Sequence, residues 1–153
     1  IDADGINALS TNIDILKKAK APIIITPHPG EMSRLCGKSI AEIVSNPIAV
    51  AYDFSTKYGV TVVLKGANTV VCGGNPTEIY VNATGNSGLA KGGSGDVLSG
   101  IILSLLGQGL PPLQAATAAG WLHGAAGDRA AEKLGEYGML PGDLVEELPQ
   151  LLK

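Results

Sequence analysis

"PIIITPHPGEMSRLCG" (22–37) decides the fold. A β-branched run, Ile23–Thr26, sits between Pro22 and Pro27 and gives way at once to a segment led by Glu31. A second apolar run, "VTVVL" (60–64), ends at Lys65-Gly66. Both runs are apolar throughout, as expected of strands covered on both faces of a parallel sheet. Between them lie three helical stretches, 30–37, 39–45 after Ser39, and 47–58 opening on Pro47, a favoured first helical position. Strand, helices, strand is a β-α-β crossover, expected to be right-handed. The class is therefore α/β.

Downstream, "TVVCGGNPTEIYVN" (69–82) holds two strand-like runs, 69–72 and 78–82, around a Gly-Gly-Asn-Pro turn, and reads as an antiparallel hairpin. A glycine-rich loop occupies 85–95. Val97, Leu98, Ile101, Ile102 and Leu105 then form one apolar stripe on a helix over 96–107. "GQGLPPL" (107–113) stops it. A long Ala-rich helix follows over 113–134, with Gly120, Gly124 and Gly127 expected to let another helix approach. A last helix runs over 141–152 from Pro141. "IDAD" (1–4) reads as the tail of a strand already under way, an edge whose neighbour is missing. No repeat or linker interrupts the chain, so residues 1–153 are read as a single domain, the C-terminal portion of something longer.

The 153 residues suffice for one domain with a real core, and 45% hydrophobic against 16% charged content marks a globular chain. Aromatics are only 4%, so the core is aliphatic. A net charge of −3 with no basic stripe points away from nucleic acid and toward small molecules. No run of 18 apolar residues suggests a membrane helix. Cys36 and Cys72 read as free thiols in a reducing, cytoplasmic setting, and neither has a second Cys or His at metal-ligand spacing.

The chemistry concentrates in "NSGLAKGGSGD" (86–96), with four glycines in residues 88–95. Glycines before a helix let backbone N–H groups approach a ligand, and the helix start adds unpaired N–H groups and a positive dipole end. The result is an anion hole, with phosphate the usual guest. It is no Walker A loop, since Lys91 precedes the glycines and Asp96 stands where that pattern is basic; Leu98 breaks a dinucleotide fingerprint. Asp96 has two readings: a helix cap, or a base that takes a hydroxyl proton as a phosphoryl group arrives. Lys91 either neutralises phosphate or lies over the loop in solvent.

His28, between Pro27 and Pro29 at a strand's carboxyl end, is either a surface turn histidine or faces a ligand. Glu31 reads as a first-turn helix acid. Lys65 lies on phosphate or is solvated in a tight turn, with residues 66–69 passing along a nucleotide. His123 reads as structural and Trp121 as packed. Asp2, Asp4 and Asn7 either face the same cleft or are strand-end and cap residues.

"DADGINAL" (2–9), "TPHPGEMSRL" (26–35), "VVLKGANTVV" (62–71), "TGNSGLAKGGSGDVLSGII" (84–102) and "AATAAGWLHGAAGD" (115–128) together resemble the NAD(P)H-hydrate dehydratases of the ribokinase-like superfamily. The resemblance implies a ribokinase-like three-layer α/β/α fold with a largely parallel sheet and a β-hairpin. It implies repair of the S epimer of hydrated NADH or NADPH, in which ADP or ATP with Mg²⁺ phosphorylates the ring hydroxyl and phosphate then leaves. Carried over, His28 would touch the hydrated cofactor, with Asp4 and Asn7 as further substrate candidates. Lys65, Gly66, Ala67, Asn68 and Thr69 would line the adenine nucleotide. Gly95 would contact its phosphate, with Asn86, Gly92, Gly93 and Ser94 as further nucleotide-binding residues, and Asp96 would face the reactive hydroxyl as the base. Residues implied as protein ligands to a metal are none. The family also implies a homo-oligomer, often a tetramer.

Family members are much longer, and their first half supplies part of the substrate site. The expectation from sequence is a chain that is inactive alone unless another chain supplies that half. Two rivals remain. One is a kinase of a vitamin-precursor alcohol in the same superfamily. The other is a non-catalytic nucleotide-binding module.

Overall fold

The computed structural model describes residues 1–73 and 78–153. The chain divides into two compact units, Ile1–Val81 and Asn82–Lys153.

The first unit carries a four-stranded sheet in the order β1-β2-β3-β4, from β1 (Ile24–Ile25), β2 (Thr61–Leu64), β3 (Val70–Cys72) and β4 (Ile79–Val81). β1 and β2 are parallel, with Ile24 opposite Thr61. Thr61 N–H donates to the Ile23 carbonyl and Lys65 N–H to the Pro27 carbonyl, so the pairing spans the whole expected run. The expected crossover is present as α2 (Pro29–Cys36), α3 (Ile40–Ser45) and α4 (Pro47–Tyr58). β2–β3 and β3–β4 are antiparallel, with Val63 opposite Val71 and Val71 opposite Tyr80. The sheet is thus mixed, and its parallel character resides in β1–β2. The hairpin is confirmed in its strands; most of its Gly-Gly-Asn-Pro turn lies outside the described residues.

The "IDAD" expectation needs correction. From Ala3 the chain is helical, as α1 (Ala3–Leu9), so Asp4 and Asn7 lie on a helix and not at a strand end. Only Ile1 behaves like a strand residue: its nitrogen donates to the Ile24 carbonyl and its carbonyl accepts from Thr26 N–H. Ala3 at φ +47° turns the chain from that extended pairing into the helix.

The core of this unit is aliphatic, with Ile6, Ile25, Met32, Ile43 and Val62 fully enclosed. Each such side chain contributes roughly 1.5–3 kcal/mol by leaving water. Ser55 links α4 to the sheet: its buried hydroxyl donates to the Val60 carbonyl at 2.6 Å and lies 3.3 Å from that of Cys72. Cys36 and Cys72 are both free thiols, and burial pushes the Cys72 thiol up.

The second unit is helical: α5 (Ser94–Gly107), α6 (Pro112–Gly138) and α7 (Pro141–Leu151), with a short 3₁₀ turn at Ser87–Leu89. Pro112 opens α6, and Gly135 at φ +73° breaks its regular course. Gly124 and Gly127 serve a purpose that composition did not show. A Cβ on Gly124 would lie 2.2 Å from Thr84 Oγ1 and 2.7 Å from the Thr84 carbonyl carbon. One on Gly127 would lie 2.7 Å from a Leu89 methyl. The small face of α6 therefore receives the loop over 84–89. Trp121, expected to pack, is 44% exposed.

Helix propensity alone favours Ala over Gly by about 1 kcal/mol. The open position Gly100 has nothing within 4 Å of an added Cβ. G100A should accordingly raise the melting temperature, and G124A should lower it, as thermal denaturation followed by circular dichroism will show.

Glu147 on α7 is nearly buried and pairs with Arg129 Nε at 3.1 Å and with Lys133, both on α6. These two cations hold its carboxyl below the ordinary 4.5. A depressed folded-state pKa means the pairing contributes in full above that ordinary value and is lost as pH falls through the lowered one. Urea midpoints measured from pH 6 down to pH 3 should fall less steeply for E147Q than for the parent protein.

Candidate functional site

The first unit gathers its candidates at the carboxyl ends of β1 and β2. Pro29 at the first helical position places His28 as the N-cap of α2. Its Nδ1 accepts from Gly30 N–H at 3.0 Å and from Glu31 N–H at 3.3 Å. Glu31 reciprocates, its Oε2 accepting His28 N–H at 2.8 Å, which completes a capping box. Because Nδ1 is an acceptor, the ring proton lies on Nε2, which stands 3.5 Å from Glu31 Oε1. The imidazole is thus held at one edge, with half of the side chain open to solvent.

Lys65 is drawn into the same group. Its Nζ donates to Asp2 Oδ1 at 2.9 Å and stands 3.9 Å from Glu31 Oε2. The lysine is paired with two carboxylates and is not simply solvated in a tight turn. Glu31, read from sequence as a first-turn acid, is 5% exposed and organises the cluster. The signal for it was available: a Glu three residues after a capping position. Gly66, Ala67 and Asn68 form an exposed turn between β2 and β3, closed by Thr69 Oγ1 against the Gly66 carbonyl at 3.5 Å. Asp4 and Asn7 are exposed on α1, where Asn7 Oδ1 accepts from Arg34 Nε at 3.0 Å.

The second unit holds the glycine loop. The N-cap of α5 is Gly93, at φ +93°, so the cap reading of Asp96 is overturned. Asp96 is the third residue of the helix and is exposed. No side chain caps α5. That contrasts with α2 and α3, which both carry capping boxes, and with α4, α6 and α7, which each begin on a proline. First-turn amides lack intrahelical partners; at α5, Ser94 N–H reaches the Lys91 carbonyl at 3.2 Å, and the turn carrying Gly95 and Asp96 directly follows Gly92 and Gly93. A Cβ on Gly92 would meet nothing within 4 Å. The arrangement suits an anion.

α6 supports this loop along its length. His123 Nε2 lies 3.0 Å from Ser94 Oγ and 2.9 Å from the Ser94 carbonyl, which makes it the structural histidine expected. Lys91 fits neither of its two readings. Its Nζ donates to the carbonyls of Glu136, Tyr137 and Met139 at 3.0, 2.9 and 2.6 Å, satisfying groups past the end of the regular helix. Ser87 Oγ bonds Glu136, and Asn86 Oδ1 accepts from Gly88 N–H at 3.0 Å. Asp128 was not singled out from sequence; its carboxylate takes Gly85 N–H at 2.8 Å and Asn86 Nδ2 at 3.0 Å. Only its spacing on the small-residue face of α6 hinted at this.

Among the described residues, no group of three or more His, Cys, Asp or Glu is arranged to hold a metal ion, and no helix is long and apolar enough to cross a membrane.

A family model described as NAD(P)H-hydrate dehydratase matches residues 1–150. The ADP-dependent (S)-NAD(P)H-hydrate dehydratase of Neisseria meningitidis serogroup B is 47% identical over 147 residues, 94% of this chain and 49% of that protein. The crystal structure of an ADP/ATP-dependent NAD(P)H-hydrate dehydratase from Bacillus subtilis, co-crystallized with ATP/Mg²⁺ and soaked with CoA, superposes with a TM-score of 0.82. It is 34% identical and covers 86% of this chain and 48% of its own. A ribokinase-like superfamily protein from Enterococcus faecalis superposes with a TM-score of 0.83 at 31% identity, covering 99% of this chain and 51% of its own. The α/β fold is thus ribokinase-like. The chain spans about half the length of these proteins and 29% of that of a bifunctional NAD(P)H-hydrate repair enzyme.

His28 is the residue whose cap and ligand roles are separable. H28A should cost about 1 kcal/mol through loss of the α2 cap. H28S, which keeps an accepting oxygen, should restore most of it in chemical denaturation.

Proposed function

The chain belongs to the NAD(P)H-hydrate dehydratase family, and on that premise we propose that it takes part in ADP- or ATP-dependent dehydration of the S epimer of hydrated NADH or NADPH. The observation that carries the proposal is the uncapped start of α5 behind Gly92 and Gly93. Unpaired amides and a positive helix end there would hold the phosphates of an adenine nucleotide, with Asn86, Ser94 and Gly95 on the same loop.

Asp96, exposed on the first turn, would take the proton from the ring hydroxyl as the nucleotide's terminal phosphoryl group is transferred to it. The phosphorylated oxygen then departs as phosphate, a neighbouring ring carbon gives up a proton, and the ring double bond returns. Mg²⁺ bound to the nucleotide would neutralise charge on the transferring group. The nucleotide's own oxygens would hold that ion, leaving the Asp96 carboxylate to act as the base.

In the first unit, His28 would present its Nε2–H edge to the hydrated cofactor, with Asp4 and Asn7 nearby on α1. The turn Gly66–Thr69 would lie along the nucleotide. Lys65, paired with Asp2 and Glu31, would line the nucleotide at the start of that turn. Cytoplasmic residence and a homo-oligomeric, tetrameric state belong to the same proposal and rest on the family resemblance.

The test follows the return of reduced-nicotinamide absorbance from hydrated NADH supplied with ADP and Mg²⁺, in the presence of the half of the substrate site that the family's longer members carry. D96N should reduce that rate by roughly 10²–10⁴-fold, the usual contribution of a general base. Accumulation of a stable phosphorylated alcohol would favour the kinase rival, and full activity in D96N would remove the base role.

A further inference from the structure

Asp128 is an acid that the proposed chemistry does not use. It lies on α6 on the same face as Trp121, Gly124 and Gly127, residues spaced three or four apart. That face receives the loop: Thr84 Oγ1 donates to the Trp121 carbonyl at 3.1 Å, and Gly124 and Gly127 leave room for Thr84 and Leu89. Asp128 closes the contact through both carboxylate oxygens. Oδ2 accepts from Gly85 N–H at 2.8 Å and Oδ1 from Asn86 Nδ2 at 3.0 Å.

The second bond has a consequence one residue further on. A side-chain amide has one accepting and one donating end. With its NH₂ turned to Asp128, Asn86 must turn its oxygen the other way, where it accepts from Gly88 N–H at 3.0 Å and opens the 3₁₀ turn Ser87–Leu89. Gly88 sits where a Cβ would be 2.5 Å from Met139 Sδ and 2.8 Å from the Glu136 carbonyl. From there the chain runs through the Lys91 anchor into Gly92, Gly93 and the start of α5. The carboxylate thus orders the loop by relay, from Asp128 to Asn86 to Gly88.

We infer that Asp128 is a positioning residue for the anion loop: it fixes Gly85 and the orientation of the Asn86 amide, and so pre-organises the approach to α5 for a nucleotide phosphate. This rests on the reading of the loop as a nucleotide site. The demand is for two acceptors and no donor, which only a carboxylate meets. In D128N one NH₂ group faces Gly85 N–H or the Asn86 amide; if Asn86 flips to suit, Gly88 loses its acceptor. The exchanged pair N86D/D128N restores every partner. The new amide at position 128 accepts from Gly85 N–H and donates to the new carboxylate at position 86, which in turn accepts from Gly88 N–H.

The experiment combines ADP titration by calorimetry with amide hydrogen exchange, at a temperature where circular dichroism shows each variant folded. D128N should weaken ADP binding about tenfold, or 1.4 kcal/mol, and should deprotect the Gly88 amide as well as that of Gly85. N86D/D128N should restore protection at both amides, and should fold even where D128N does not. Unchanged protection at Gly88 in D128N, or no recovery in the exchanged pair, overturns the relay. A parent chain that binds ADP beside a D128N variant that binds it equally well overturns the positioning role alone. A parent chain that takes up no ADP overturns the nucleotide reading, and this role with it.

Discussion

Backbone groups at helix ends have no partners within their own helix, and the way each end meets this constraint explains most of the local structure. At α2 the donors are taken by His28, with Glu31 answering from inside the turn. At α3 the pair Ser39 and Glu42 does the same. Where α6 loses its regular course at Gly135, the Lys91 ammonium collects three carbonyls. The start of α5, like that of α1, has no side-chain cap; what sets it apart is the glycine at its N-cap, Gly93, behind Gly92.

The same accounting changes the meaning of several charged residues. Lys65 and Lys91 both sit beside motifs that suggest phosphate, and each is engaged within its own unit by carboxylates or carbonyls. A lysine committed to internal partners holds backbone and side chains of its own unit in place. Asp128 is the complementary case. Its charge acts on two neutral donors of the loop, where charge-assisted bonds are stronger than neutral ones.

The strand runs, the three crossover helices, the hairpin and the three later helices were legible because each carries its own period or punctuation. Ile23–Thr26 between prolines and Pro47 at a helix start are local signals, and local signals survive into the structure. "IDAD" misled for the same reason. Four residues hold no period, and the extended pairing of Ile1 stops at Ala3, where the backbone turns through a positive φ. Trp121 misled because hydrophobicity alone does not say how much of a side chain the fold covers: it shares a face of α6 with Gly124 and Gly127 and is still 44% exposed.

By itself the sequence determined the α/β class, the family resemblance, and the presence of a glycine-rich loop before a helix, since these depend on residue types at short spacing. Only the tertiary structure decided what Glu31, Lys91, His123 and Asp128 do. Their partners lie as close as three residues away at Glu31 and His28, and as far as 48 at Lys91 and Met139. No spacing rule connects a carboxylate on one helix to an amide in a loop 42 residues earlier. What joins them is the close approach that Gly124 and Gly127 permit, and a close approach exists only once the chain has folded.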